Sequence, residues 1–295
     1  MKALYAHCQI SKQGHYQMLA RQLAWQEKEA LFLRLILQIR EIHPAMGLRT
    51  MYEFYQPEGI GRDAFISIGL RYGLRTKSFH NETRTTFASP YSRYANLLKD
   101  VVVDQVNQVW TSDITYFRIE DRFVYIVFIM DVYSRTIVGY CVSENMRAEN
   151  NLLALKMAMK NRKTFDYKRQ LIHHSDRGSQ YVSDLYTEAL NDANIRISMC
   201  QSVYENAHVE RVNGTIKNQY LIHWNITSFA QMKKMLKRAV DTYNLKKPHA
   251  SLEKRTPAEF EKHVGMIKKK ERPQMRIWTE NTNSFKNENQ YIIPF

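Results

Sequence analysis

Three β-rich runs follow one another with almost nothing between them: "QVWTSDITYFRI", "FVYIVFIMD" and "RTIVGYCV". Each is dense in β-branched and aromatic residues, and "EDR" and "VYS" are the only breaks between them. Connections that short join antiparallel strands only, so residues from about 108 to 143 must form a three-stranded meander. Beyond it, helices and strands alternate. "ENNLLALKMAMKNR" (149–162) has a helical pattern and "RQLIHHS" a fourth strand. "SDLYTEALNDAN" is a helix opened by Ser183 as N-cap, "IRISM" a short strand, and "NAHVERVNGTIKNQYLI" and "SFAQMKKMLKRAVDTYNLKKP" two further helices. Antiparallel strands followed by strand–helix alternation make a mixed α/β sheet flanked by helices.

The residues before this core read as all-helical. "EKEALFLRLILQIREIH" (27–43) carries apolar residues at three- and four-residue spacing and stops before Pro44. "GLRTMYEFYQPEG" and "GRDAFISIGLRYGL" give two shorter helices, with Gly73 placed as a C-cap. "CQISKQGHYQMLARQLAW" supplies a separate small helical element. Arg62, Arg71, Arg75 and Lys77 lie in or just after the third helix, a pattern that suits a helix-turn-helix unit as well as a plain bundle with a basic face. The expected organisation is a helical region over 1–78, a polar linker over 79–104, a catalytic core over 105–264 and a loosely ordered polar tail over 265–295.

Charge separates these parts. The chain carries +14 overall, distributed as +6 over 1–100, −2 over 101–210 and +10 over 211–272. Basic flanks around a centre that collects carboxylates point to nucleic acid as partner. No apolar run is long enough to span a bilayer, and three cysteines without a CxxC pair exclude a disulfide framework and a zinc cage. The expected setting is a reducing cytoplasm, with no membrane partner.

Within the acidic centre, Asp113 stands in the middle of a strand. Alternation puts it with Thr111, Thr115 and Phe117 on one face, and Trp110, Ser112, Ile114 and Tyr116 on the other. A mid-strand aspartate is costly to bury without a compensating cation. Asp176, in "LIHHSDRGSQY", ends the fourth strand. Turn chemistry alone accounts for it, with Asp bonding nearby backbone and Gly178 supplying a positive φ, but so does a metal-ligand role. If the first and fourth strands are neighbours, the two carboxylates converge. Glu210, on the helix "NAHVERVNGTIK", is the third candidate. Two aspartates and a glutamate make an all-oxygen site suited to Mg²⁺ or Mn²⁺, two ions per site, and to in-line phosphoryl displacement. Asp131 reads as a turn residue, and Asp184 and Glu188 as an exposed helix face. His173 and His174 alternate across their strand, one packing in the core and the other free to line the site.

"WTSDITY", "MDVYSRTIVGY", "HHSDRGSQY", "YENAHVERVNGTIK" and "YNLKKPHASLEKRTPAEF", in that order, resemble the transposases of bacterial insertion sequences, most closely the insertion-sequence-three family. "HPAMGLRTMYEFYQPEGIGRDAFI" resembles the helix-turn-helix segment upstream in the same proteins. The resemblance implies a ribonuclease H-like, retroviral-integrase-like core with an Asp-Asp-Glu triad at Asp113, Asp176 and Glu210. It implies a DNA transposase that cuts element ends and joins the 3′-OH to a target strand, working as a homo-oligomer on DNA near the bacterial nucleoid. It also implies a shorter upstream frame whose product is fused to this chain or bound by it. Two departures stand out. Thirty-three residues separate Asp176 from Glu210, two fewer than the family's usual interval, and "ENA" with Glu205 replaces the family's "DNA". Five residues apart on a helix, Glu205 and Glu210 do not share a face, and only Glu210 precedes "RVNGTIK". Asn206, Glu210, Asn213 and Lys217 fall on one helical stripe, which places Asn206, Asn213 and Lys217 toward DNA. Arg177, beside Asp176, is a candidate phosphate contact. The rival functions are a helix-turn-helix DNA-binding protein with a non-catalytic α/β domain, and a cleavage-only nuclease of the same fold.

Overall fold

The three strand runs pair as their short turns require. In a computed structural model that describes residues 10–76, 93–164, 170–200 and 207–277 together with Tyr5 and His7, β2 (Val109–Ile119), β3 (Arg122–Asp131) and β4 (Ile137–Ser143) form an antiparallel meander. Two further strands, β5 (Leu171–Ser175) and β6 (Ile195–Met199), add in parallel, giving the order β4-β3-β2-β5-β6. The parallel strands need crossovers: α4 (Ala148–Arg162) leads from β4 to β5, and α5 (Asp184–Asp192) from β5 to β6. This is the mixed sheet expected from the strand and helix pattern, in the ribonuclease H-like arrangement that the family resemblance implies.

Alternation along the strands fills two cores, one on each face. Trp110, Val127, Ile129 and Val138 pack with Leu155, Ala158, Tyr186 and Leu190 of α4 and α5. The opposite face presents Ile119, Val124, Ile126, Phe128 and Met130 to α6 (Ala207–Gln219) and α7 (Phe229–Lys246). Asp113 is paired with Phe128, a member of this second core, so its carboxylate faces α6. Gly139 lets α4 lie directly on β4, since a Cβ there would sit 2.2 Å from the Ala154 carbonyl oxygen.

Three features of this unit depart from the sequence-based expectation. The loosely ordered tail contributes β7 (Met275–Arg276), which pairs with β1 (Val102–Val103), a segment assigned to the linker. An additional helix, α8 (Pro257–Met266), opens with Thr256 and Glu259 in a reciprocal capping box and Pro257 in its first turn. Ser183 stands at the start of α5, but its Oγ donates to the Gln180 carbonyl rather than capping the helix.

The remaining unit, within residues 1–78, consists of α1 (Lys12–Ile42), α2 (Leu48–Tyr55) and α3 (Arg62–Arg71) around Phe32, Ile36, Ile39, Met51, Phe65 and Ile68. The two helical stretches expected before Pro44 are one continuous helix of 31 residues. Neither Gly nor Pro occurs between Gly14 and Pro44 to break it, and the Ser11 side chain accepts from Gly14 N at its start. Gly73 ends α3 with φ 70°, the C-cap its position suggested. No described helix is long and apolar enough to cross a membrane.

Candidate active site

The register of the parallel pair brings the first two carboxylates together. Ser112 pairs with Ser175, so the next residue on each strand is an aspartate, Asp113 on β2 and Asp176 after β5. Asp176 follows the carboxyl end of β5, and Asp113 stands in the middle of β2, just past the last residue paired with β5. Glu210 lies in the first turn of α6, which packs over this end of β2 and β3.

Asp113 is the most perturbed of the three. Burial raises its carboxyl pKa well above the ordinary carboxylate range, and the negative charges of Asp176 and Glu210 add to the effect. Asn213 Nδ2 donates to Asp113 Oδ2 at 2.6 Å and partly offsets it. Asp176 is half-buried and its pKa is raised by burial; the Gly178 backbone N–H, 3.0 Å from Oδ1, and the Arg177 charge pull the other way. Glu210 is exposed at the rim, and burial of its carboxyl end together with the Asp176 charge raises its pKa. Asp113 and Glu210 thus both respond to the Asp176 charge, whereas Asp176 responds chiefly to its own burial.

Neighbouring groups hold this end of the sheet in place. Tyr181 OH lies 2.9 Å from Ser112 Oγ, and Ser175 Oγ donates to the Asp176 carbonyl. Lys217, one turn beyond Asn213, is half-buried; its Nζ donates to Thr115 Oγ1 at 3.2 Å and lies 4.8 Å from the centre of the Tyr116 ring. Burial lowers its pKa, while Tyr116 and Asp113 raise it. The stripe inferred from helical spacing therefore has three described members on the Asp113 side of α6. Asn213 is itself buried, with its amide on Asp113 rather than presented to DNA, and its Oδ1 has no hydrogen-bond partner.

Several other expectations resolve differently. Gly178 has φ −64°, so a positive φ is not what requires glycine. The reason is proximity: a Cβ there would lie 3.0 Å from Asp176 Oδ1 and 3.1 Å from Gln180 Oε1. Neither histidine of "HHSD" lines the site. His173 Nε2 is 2.9 Å from Tyr186 OH, His174 bridges Ser198 Oγ and Cys200 Sγ, and both rings are buried. Asp131 is a turn residue, but a fully buried one, accepting from Asn107 N, Ser134 N and Ser134 Oγ. Asp184 and Glu188 are exposed, as read from the helix pattern. In the helical unit, Arg62 pairs with Asp63 and Arg71 with Glu29, and Arg75 is exposed. Lys77, Glu205 and Asn206 lie outside the described residues.

The donor set fits a hard divalent cation: three carboxylates, no sulfur or imidazole, and a buried acceptor at Asn213 Oδ1 still lacking a partner. Among the described residues, no three acidic, His or Cys side chains are gathered closely enough to hold an ion.

An integrase core domain family matches residues 103–204, and a second integrase core domain family matches residues 191–257. The transposase for insertion sequence element IS629 of Shigella sonnei is 30% identical over 265 residues, covering 88% of this chain and 86% of that protein. Transposase InsF for insertion sequence IS3A of Escherichia coli K12 is 35% identical over 153 residues, covering 50% of this chain and 51% of the relative. The HTLV-2 integrase catalytic core domain, solved in complex with magnesium, is 18% identical, with a TM-score of 0.42 over 53% of this chain and 97% of that one.

Proposed function

The chain belongs to the insertion-sequence transposases of the insertion-sequence-three family, and from that premise we propose that it cuts the ends of its element and joins the exposed 3′-OH to a target strand at a single Asp113–Asp176–Glu210 site. The observation that carries this reading is the β2–β5 register, which sets Asp113 and Asp176 side by side under the helix that bears Glu210. In this reading Asp113, Asp176 and Glu210 hold a pair of Mg²⁺ or Mn²⁺ ions, which would activate the attacking oxygen and offset charge building on the scissile phosphate.

The chain's own residues do the positioning. Asn213 fixes the Asp113 carboxylate with one amide hydrogen. The Gly178 N–H fixes the Asp176 carboxylate through Oδ1. Tyr181 and Ser112 tie the loop after β5 to β2, so the two aspartates move as one. Lys217 places a cation on the Asp113 side of α6, where a phosphodiester approaching the carboxylates would meet it. Water, and then the 3′-OH, serves as nucleophile, and no covalent protein intermediate forms.

End recognition is assigned to α1–α3, whose third helix carries Arg62 and Arg71, with Arg75 and Lys77 just beyond; Arg177 and Asn206 are assigned to the DNA near the carboxylates. The working form in this reading is a homo-oligomer on DNA. Substituting Asp113→Asn, Asp176→Asn or Glu210→Gln tests the site. Each is expected to abolish end cleavage and joining of a labelled 3′-OH strand together, with duplex binding retained. Near-normal activity in any one would remove that residue from the site.

A further inference from the structure

The flank of α6 turned away from the carboxylates lines a second concavity, of about 530 Å³. At about 100° per residue, His208, Arg211 and Thr215 face roughly opposite to Glu210, Asn213 and Lys217. Its walls also include Arg135, from the β3–β4 turn, and Lys247 and His249, from the chain after α7. No carboxylate is among its described lining residues.

Arg135, Arg211 and Lys247 supply its positive charge; Arg135 is buried, Lys247 half-buried and Arg211 exposed. Arg135 is enclosed, and its guanidinium meets His208 Nδ1 at 2.7 Å and Met275 Sδ at 3.1 Å rather than a carboxylate. The nearest buried acid, Asp131, has both oxygens occupied by Asn107 and Ser134. His249 Nε2 is buried with no hydrogen-bond partner. Arg135 also stands at φ 63°, in a region where glycine or asparagine is favoured, so the arginine is kept there against backbone preference. The groups repel one another as well. Burial and Arg211 push Arg135 down to about 10, burial and Lys247 push His249 down to about 3, and burial and Arg135 lower His208. Three cations converging on one concavity, with no carboxylate among its described lining, fit a tetrahedral oxyanion bearing several acceptors.

We propose that this pocket is a phosphate-binding site separate from the carboxylate site, taking either inorganic phosphate or a phosphate group of DNA. Three segments far apart in sequence meet there, so an occupant would pin the β3–β4 turn and the chain after α7 to the helix that carries Glu210.

The test uses the full chain in chelated buffer at constant ionic strength, with inorganic phosphate titrated against sodium chloride. Phosphate at about 100 times its dissociation constant is expected to raise the unfolding midpoint by about 5–10 °C over the chloride control. The double variant Arg211→Gln, Lys247→Gln is expected to weaken calorimetric phosphate binding at least about tenfold, by loss of two charged hydrogen-bond donors. Thr215→Glu places a carboxylate in the pocket. It is expected to raise the midpoint without phosphate and to remove the response to phosphate, which separates loss of the site from loss of the fold. A labelled duplex distinguishes the two sources. If DNA supplies the phosphate, Thr215→Glu lowers the salt slope of duplex binding by about one. If free phosphate is the ligand, that slope is unchanged and the wild-type phosphate response persists. A wild type that responds no more to phosphate than to chloride, with an unchanged slope in Thr215→Glu, overturns the proposal.

Discussion

Asp113→Asn removes one of three mutually repelling carboxylates while nearly preserving its shape, and its consequence depends on whether a cation is present. Adjacent strands lie about 4.8 Å apart, which puts the Asp113 and Asp176 charges about 5–8 Å from each other. At an effective dielectric constant near 20 that separation corresponds to on the order of 2–3 kcal/mol of repulsion. Against this stands the charge-assisted bond from Asn213, worth about 1.5 kcal/mol. The net expectation, in chelator at pH 7.5, is that the variant is more stable than wild type by about 1 kcal/mol, or about 2–4 °C in midpoint. Proton linkage adds a second signature. The folded carboxyl is raised above its unfolded value, so the folded state binds the extra proton, and chelated wild type loses stability as pH rises from about 4 through the folded pKa. The variant lacks Asp113's part of that slope and keeps the parts from Asp176 and Glu210, which are also raised. Adding Mg²⁺ at about 100 times its dissociation constant should stabilise wild type by about 2.7 kcal/mol and the variant far less. Thermal unfolding with chelator and with Mg²⁺, between pH 5 and 8, reads all three quantities. A variant less stable than wild type in chelator, and equally stabilised by Mg²⁺, would show that Asp113 is a structural acceptor for Asn213 and not a metal ligand.

Gly139→Ala should cost about 3 kcal/mol or more, because the new methyl meets the Ala154 carbonyl and the backbone of α4 cannot yield without leaving the sheet; chemical denaturation measures it. Glu261 is held between Arg162 and Thr136 Oγ1, and although burial raises its pKa, the Arg162 pair overrides this and keeps it below the ordinary value. Its stabilisation is therefore complete above the unfolded value of about 4.3 and fades as pH falls through the lower folded one. Glu261→Gln should remove about 3 kcal/mol at neutral pH and flatten that acid limb in a pH series of denaturation curves. Lys217→Ala should slow end cleavage and joining far more than Lys233→Ala or Lys234→Ala, which are exposed on α7, while long-duplex binding loses only about one phosphate contact's worth of salt slope. Equal, mild effects from all three lysines would place the DNA end elsewhere.

Strands and helices were legible in the sequence wherever local pattern dictates them: the meander, α4 to α7, and the Gly73 cap all follow from spacing and turn residues. Alternation alone assigned Asp113 to the face of Phe117, and that face is the one α6 covers. What pattern does not carry is which distant segments meet. The β1–β7 ladder joins residues more than 170 positions apart and has two residues per strand, too short to leave a periodic trace. The β2–β5 pairing is a choice of topology, so local pattern leaves the approach of Asp176 to Asp113 conditional on that choice, and Glu210 was a third candidate from its helix, which the family resemblance then joined to the two aspartates. Helix α8 was readable, since Thr256-Pro-Ala-Glu259 is a capping-box signature, but it lies inside a longer motif that hides it. The pairing of both histidines, the close approach at Gly178 and the basic pocket behind α6 all depend on side chains brought from separate elements, and nothing in local spacing announces them.

The β2–β5 register also sets when the proposed site can assemble. The two aspartates lie on strands joined through the whole of β3, β4 and α4, and Glu210 comes later still, beyond β6. No local fragment contains the site: the meander can pair early from neighbouring residues, but the carboxylates meet only after a long loop closes in parallel, the slow class of folding event. On the ribosome, a chain that has extended only to β4 holds Asp113 alone, and one extended to α5 holds two of the three. Under the proposed reading, cutting competence is withheld until α6 has docked, and a chain interrupted in synthesis carries its basic helical unit without the complete carboxylate set.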